Sequence, residues 1–427
     1  SFATLRLTGC LARPKTNHIT HRIPDYELPV YSVVAGLYKE AKSVGKLIGF
    51  LRAMDYPPEK LQIILALEPD DLATRAAVAR LGPTPNLQIV LAPNAGPRTK
   101  PKALNYALPF VRGSVVAVYD AEDEPEPDQL RNALQAFQTH GPDVACVQAS
   151  LCINNGDDGW LARTFTAEYA GQFDVFLQGA SRLKLPLPLG GSSNHFRTDV
   201  LRASGAWDAY NVTEDADLGL RLARLGWHSV MFPSTTREEA PAFLMPWLRQ
   251  RTRWMKGWMQ TWAVHMRAPR QLYRDIGWRG FVSINLLVGG NVVGALAYPC
   301  LLGVLAFNTA QYAAGNRTTL LQHWPDDLHL AAAMSGLVVA FATGLAGLRR
   351  RRLLRHAWVL ALTPLYWLAL SAAAWRALWQ FVFNRYHWEK TEHGLAISHH
   401  GARSVVTQAS QSFLKPELAS AFGHPRR

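Results

Sequence analysis

Residues 114–123 read Ser-Val-Val-Ala-Val-Tyr-Asp-Ala-Glu-Asp. An apolar, β-branched run of strand length ends abruptly in three acids. The same kind of run occurs at residues 31–35 (YSVVA), 61–67 (LQIILAL), 87–91 (LQIVL) and 144–149 (VACVQA). Between these runs lie segments of helical character, at residues 41–54, 71–81, 102–111 and 129–139. Strands that are almost continuously apolar, alternating with helices, predict a parallel, doubly wound α/β sheet covered on both faces. In such a sheet ligands bind at the carboxyl ends of the strands. Glu68 and Asp70 follow the second run, and Asp120, Glu122 and Asp123 follow the fourth.

The last third of the chain is built differently. Residues 281–307 and 328–348 carry no Asp, Glu, Lys or Arg, and residues 356–375 form a third apolar run. Each approaches or exceeds the roughly 20 residues that cross a bilayer. Arg349, Arg350, Arg351, Arg352 and Arg355 separate the second and third runs, so this short loop is expected in the cytoplasm, with the α/β domain on the same side. A third crossing would export the basic tail. The reading therefore favours a re-entrant or interfacial element bent near Pro364.

Composition narrows the function classes. The chain has 427 residues, 45 Lys+Arg against 32 Asp+Glu, and a net charge of +13. Such a balance suits nucleic acid, or an anionic membrane surface and a phosphate-bearing substrate. The apolar runs select the second, and no nucleic-acid partner is expected. Cys10, Cys146, Cys152 and Cys300 form no C-x-x-C pair, which argues against a zinc or disulfide framework. The chain opens on Ser1 with no basic-then-apolar leader pattern, and a fragment or processed form is the expectation.

Four motifs carry chemistry. Asp120 and Glu122, spaced i, i+2 at a strand end, can face one divalent cation through hard oxygens, as a departing diphosphate requires; loop acids of this kind are also common as solvated residues. Lys100 and Lys102 stand at a helix start with Arg98 nearby, an anion site or a basic turn. Thr213-Glu214-Asp215 opens a helical segment, Thr213 standing at the N-cap position. Acids there complement the helix dipole, which would also keep Asp215 ionised at neutral pH as a general base for a sugar hydroxyl. Gln250, Arg253 and Trp254 (Q-x-x-R-W) share a helical face, with an indole for the apolar face of a sugar and two polar groups for its rim. An interfacial anchor would use the same residue types, and residues 255–280 carry Trp258, Trp262, Tyr273 and Trp278 among basic residues.

In order and spacing these motifs resemble the processive, membrane-embedded family 2 glycosyltransferases, which include cellulose and hyaluronan synthases and bacterial glucan synthases. The resemblance covers roughly residues 30–395. It implies a GT-A-like nucleotide-sugar domain over residues 30–254, interfacial helices over 255–280 and transmembrane or interfacial helices over 281–384. These are flanked by an N-terminal segment (1–29) and a C-terminal cytoplasmic segment (385–427). It implies that Tyr38, Glu40, Glu68, Asp70, Lys100 and Lys102 receive the donor, that Asp120 and Glu122, with Asp123 as rival, bind Mg2+ or Mn2+, and that Ser192 of the loop Gly190–Asn194 lines the acceptor pocket. Asp215, with Thr213 and Glu214, would be the catalytic triplet, and Gln250, Arg253 and Trp254 the mouth of a polymer channel. Trp388–Gly394 would be a gating segment. The function implied is inverting elongation of a β-linked polysaccharide from a UDP-sugar, with UDP-glucose the expected donor, coupled to translocation across the bacterial inner membrane. The family's channel uses more helices than the three runs here, so an upstream segment or further membrane subunits are expected. A transferase to a lipid-linked acceptor and a catalytically silent membrane scaffold are the alternatives.

Overall fold

The computed structural model describes residues 22–82, 85–316 and 324–384. Segments 1–21 and 385–427, and with them Cys10, the basic tail and the motif Trp388–Gly394, lie outside the described residues. The α/β domain runs β1 (Tyr31–Leu37), α1 (Val44–Arg52), β2 (Leu61–Leu67), α2 (Leu72–Ala79), β3 (Leu87–Leu91), α3 (Lys100–Ala107), β4 (Val115–Tyr119), β5 (Glu124–Pro125), α4 (Gln129–His140), β6 (Val144–Ile153), α5 (Trp160–Gly171), α6 (Leu177–Arg182), β7 (Asn194–Arg197), α7 (Thr198–Ala203), α8 (Glu214–Arg224) and β8 (His228–Glu238). The five apolar runs seen in the sequence are β1, β2, β3, β4 and β6. β1, β2 and β4 are buried on both faces, which is why their sequences do not alternate.

The eight strands form one sheet in the order β3-β2-β1-β4-β7-β6-β8-β5. One face is covered by α1, α2 and α4 through Leu47, Ile48, Leu51, Val78, Leu130 and Phe137. The other is covered by α3, α7 and α8 through Leu104, Ala107, Leu201, Leu218 and Leu222. β3, β2, β1 and β4 are parallel, as the alternating pattern predicts. The remainder corrects the all-parallel expectation: β7 runs antiparallel to both β4 and β6, and β5 antiparallel to β8. The reason is the route of residues 183–193. They deliver the chain to the C-terminal end of β4, so the strand entering there must run back. A parallel strand would need a crossover to the opposite end.

Five long helices follow or flank this domain: α9 (Leu244–His265), α10 (Pro269–Ile284), α11 (Gly290–Ala313), α12 (Trp324–Arg350) and α13 (Thr363–Phe383). The boundary drawn at 254/255 falls inside α9, which is continuous. Gly277, at φ 66°, breaks the helical path of α10, a conformation open to glycine at little cost. Three stretches, Pro269–Ala313, Leu330–Arg350 and Leu354–Phe383, are long and apolar enough to cross a membrane. A 3-10 segment (Leu354–Leu362) gives way to α13, with Pro364 in its first turn. α13 packs along α9, Tyr366 against Trp247 and Ala374 and Ala377 beside Met255 and Met259.

α12 is seated on the α/β domain by backbone contact. A Cβ on Gly347 would stand 2.3 Å from the Ala170 carbonyl carbon of α5, and one on Gly171 would stand 3.3 Å from the Gly344 nitrogen. At the end of α12, Arg351 pairs with Asp174 and donates to the Leu151 carbonyl at 2.7 Å. The arginine loop is therefore anchored on the α/β domain.

Candidate active site

The parallel pairing of β1 with β4 and β2 aligns their carboxyl ends, so residues 38–40, 68–70 and 120–123 emerge side by side. Antiparallel β7 brings in the loop before it. The Ser193 nitrogen donates to the Val118 carbonyl at 2.8 Å, which sets Gly190, Gly191 and Ser192 beside Asp120. A cavity of 360 Å³ opens there. Tyr38, Glu40, Glu68, Arg98 and Lys100 line it on the side of β1 and β2, and Asp120 and Glu122 at β4. Gly191, Ser192, Thr213, Glu214 and Asp215 form its floor, and Gln250, Arg253 and Trp254 of α9 its far wall.

Gly191 is the centre of this arrangement. A Cβ built on it would stand 3.3 Å from Asp215 Oδ2 and 3.9 Å from Asp120 Oδ2. The acid after β4 and the acid in the first turn of α8 thus face one another across a residue without a side chain. Lys100 supplies the local counter-charge, pairing with Asp120 and donating to the Gly191 carbonyl at 2.6 Å. Burial opposes its charge, but the Asp120 and Glu214 carboxylates hold its pKa above the ordinary lysine value. From α9, half-buried Arg253 lies within electrostatic reach of Glu214, Asp120, Glu122 and Asp215.

Asp215, expected to stay ionised at neutral pH at the start of its helix, does so with a raised pKa. In the fold, burial dominates. It pushes Asp215 up to about 6, against the pull of the Ala216 N–H and Lys100. Burial and the charge of Asp215 push Glu214 up to about 7. Thr213 occupies the N-cap position, but its hydroxyl makes no capping bond and lies instead 3.3 Å from that of Thr261.

Further residues expected at the site make contacts within the protein. Asp123 lies 1% exposed, accepts from the Asp120 nitrogen at 2.6 Å and from the Ser192 hydroxyl, and is not among the cavity-lining residues. It holds the acidic loop against the Ser192 loop, and burial drives its carboxyl upward. Lys102 and Glu68 form a buried ion pair at 2.8 Å, so the charge of each is met inside the protein. Asp70 pairs with Arg98 at 2.9 Å, with the Tyr38 hydroxyl at 3.5 Å.

The structure adds residues that the sequence did not single out. Glu238 and Glu239 line the cavity at the end of β8, the same strand-end signal as Asp120, missed because β8 went unrecognised. Arg251, on the buried side of α9, binds Glu168 bidentately at 2.9 and 2.6 Å and Tyr366 at 2.7 Å, among the rings of Phe165, Trp247, Trp254 and Tyr366. Trp258, Asn291 of α11 and Leu370 of α13 also reach the cavity.

Among the described residues no group of three or more His, Cys, Asp or Glu is placed to hold a metal by itself. The fit is of another kind. Asp120 and Glu122 offer hard oxygens at the cavity, and the missing side chain of Gly191 leaves space beside them. Mg2+ is commonly held in this way, with one or two carboxylates and the remaining positions taken by phosphate oxygens and water.

The family model described as glycosyltransferase like family 2 matches residues 29–257, more than half of the chain. The probable glycosyltransferase YdaM of Bacillus subtilis is 27% identical over 54% of this chain and 56% of its own length. The beta-monoglucosyldiacylglycerol synthase of Trichormus variabilis is 27% identical over 55% of this chain and 50% of its own. The chain thus spans about half the length of these curated relatives. Among solved structures, the mannosyltransferase PcManGT of Pyrobaculum calidifontis, in complex with GDP-Man and Mn2+, superposes with a TM-score of 0.59 at 19% identity. That match covers 90% of this chain and 99% of that one, a likeness of fold.

Proposed function

The chain belongs to the glycosyltransferase-like family 2, and on that premise we propose that it transfers a sugar, with inversion, from a nucleoside-diphosphate donor to an acceptor hydroxyl at a membrane face. The observation that carries this reading is the meeting of Asp120 and Asp215 across Gly191, with the Gln250–Trp254 wall opposite. Tyr38, Glu40 and Glu68 border the part of the cavity assigned to the nucleoside, where Asp70 orients Arg98. Asp120 and Glu122 would hold Mg2+ or Mn2+, which neutralises the leaving diphosphate. Lys100 stabilises charge on the same side. Asp215, with its pKa one unit below neutrality, is mostly ionised at pH 7 and still basic enough to take the acceptor proton as its oxygen attacks the anomeric carbon. Trp254 offers a stacking face, and Gln250, whose Oε1 is buried without a hydrogen-bond partner among the described residues, accepts from an acceptor hydroxyl.

The motif Q-x-x-R-W supports elongation of a β-linked polysaccharide, with UDP-glucose as donor and translocation accompanying growth. A second reading, transfer to a lipid-borne acceptor, is favoured by Asn291 and Leu370, which bring two apolar helices to the cavity wall. The name of the Trichormus relative points the same way. In either case the α/β domain and arginine loop occupy the cytoplasmic face of the bacterial inner membrane. The test is incubation of membrane vesicles with labelled UDP-glucose, UDP-galactose, GDP-mannose and GDP-glucose. Solvent-extractable label identifies a lipid acceptor, and label in long, β-glucosidase-sensitive chains identifies elongation. Absence of transfer from every donor, with the protein folded and Mn2+ present, overturns the proposal.

A further inference from the structure

α8, which carries Asp215, and α9, which carries Gln250, Arg253 and Trp254, meet along a line of buried polar groups. At its top the Asn211 amide donates to the Thr261 hydroxyl at 2.9 Å and accepts from the Thr213 nitrogen at 3.0 Å. One turn down, Asp217 lies 3.1 Å from His265 Nε2 and 3.0 Å from Arg221. At the bottom Arg224 stands 3.4 Å from His265 Nδ1 and binds Asp275 of α10 at 2.9 Å. A His265 tautomer with its proton on Nε2 satisfies both of its contacts. Asn211, Asp217, Thr261 and His265 are each no more than 5% exposed. The residues recur at four-residue steps on both helices, 213 and 217 against 257, 261 and 265, so successive turns meet.

Gly257 makes this approach possible. A Cβ there would stand 2.4 Å from Thr213 Cγ2 and 2.6 Å from Thr213 Oγ1. It lies one turn beyond Arg253 on the same helix. An apolar seam would bury the same area without fixing how far one helix slides along the other. Buried polar pairs have one register, because sliding leaves each group unsatisfied.

We propose that this seam sets the position of the base Asp215 relative to the acceptor wall, and that Gly257, Thr261 and His265 are positioning residues of the transfer reaction. The inference rests on the function proposed above. None of the three is assigned a contact with donor or acceptor; they act through the two helices that bear the reacting groups. A displacement of about 1 Å at a reacting centre can cost on the order of 100-fold in rate.

The test compares T261V, H265L, H265Q, G257A and G257A/T213S with the full-length chain in detergent or nanodiscs. It measures kcat, the acceptor KM, UDP and GDP affinity with Mn2+ and the thermal midpoint. T261V and H265L are expected to lower kcat about 10- to 100-fold while nucleotide affinity stays within about twofold, and H265Q to recover most of the loss. G257A is expected to be as slow, and T213S to restore part of its rate, so that the double variant exceeds the product of the singles. T261V removes one hydroxyl without changing shape and carries the test if H265L does not fold. Wild-type kcat in the folded variants, an equal fall of kcat and nucleotide affinity, or strict multiplicativity of G257A and T213S overturns the inference. Absence of transfer by the wild-type chain would instead count against the proposed function.

Discussion

If Asp215 is the base, the acid limb of the pH–rate profile belongs to it and to its neighbour Glu214. Asp215 is raised from 3.8 to about 6, burial being the largest cause. The base works ionised, so activity is fully present well above pH 6 and falls tenfold per unit below it. At pH 5 an acid of pKa 6 is about one-tenth ionised, whereas an unperturbed carboxylate is still about nine-tenths ionised. The profile of kcat/KM between pH 4.5 and 8 therefore separates the two cases by close to an order of magnitude at one pH. Lys100→Met sharpens the test. The Lys100 ammonium lowers the pKa of both acids, so its removal moves the limb to higher pH. Asp215→Asn should reduce kcat by about 100- to 10,000-fold with nucleotide binding retained, the usual range for a lost general base. Initial rates of label transfer at saturating Mn2+, with UDP or GDP affinity measured in parallel, supply the data. A limb below pH 5 in the wild type, or an Asp215→Asn variant with more than a tenth of its rate, refutes the assignment.

Four further outcomes follow from particular contacts. Lys102→Met leaves the Glu68 carboxylate buried without its partner and should destabilise by about 3 kcal/mol; adding Glu68→Gln should recover most of that in a thermal melt. Glu214→Gln should stabilise the fold by about 3 kcal/mol at pH 8 and leave it nearly unchanged at pH 4. The sign follows from the raised folded pKa, about 7 against 4.5: the ionised form costs stability above that window, and both states are protonated below it. Gly347→Leu should separate α12 from α5, seen as faster proteolysis between the α/β domain and the apolar helices, because a Cβ there meets backbone at 2.3 Å. Gly191→Ala should lower kcat more than it weakens nucleotide binding, because the new methyl occupies the space between Asp120 and Asp215.

What could be read from the sequence, and what could not, divides along a physical line. β1, β2 and β4 were legible because a strand buried on both faces has to be apolar throughout, and the acid that ends such a run stands out. β8 was not: HSVMFPSTTRE mixes exposed and buried positions and contains Pro233, so its strand character comes from pairing with β6 rather than from its own pattern. With β8 unread, Glu238 and Glu239 had no strand end to mark them. The roles of the acids divide in the same way. Asp120, Glu122 and Asp123 are chemically equivalent on paper, and only the arrival of antiparallel β7 distinguishes them. It places Ser192 on Asp123 and so commits that carboxylate to the loop, while Asp120 and Glu122 stay at the cavity. Arg251 gives the same lesson from the other side of α9. The motif reads Q-x-x-R-W, and its first x is an arginine buried among four aromatic rings and bound to Glu168. A helical wheel sets Arg251 and Arg253 about 200° apart, on opposite faces, but does not say which face is covered or by what. Burial against α5 and α13 makes one a strut between the catalytic domain and the apolar helices. The other faces the acids of the site. A charge read from sequence thus has no function until the element packed against it is known.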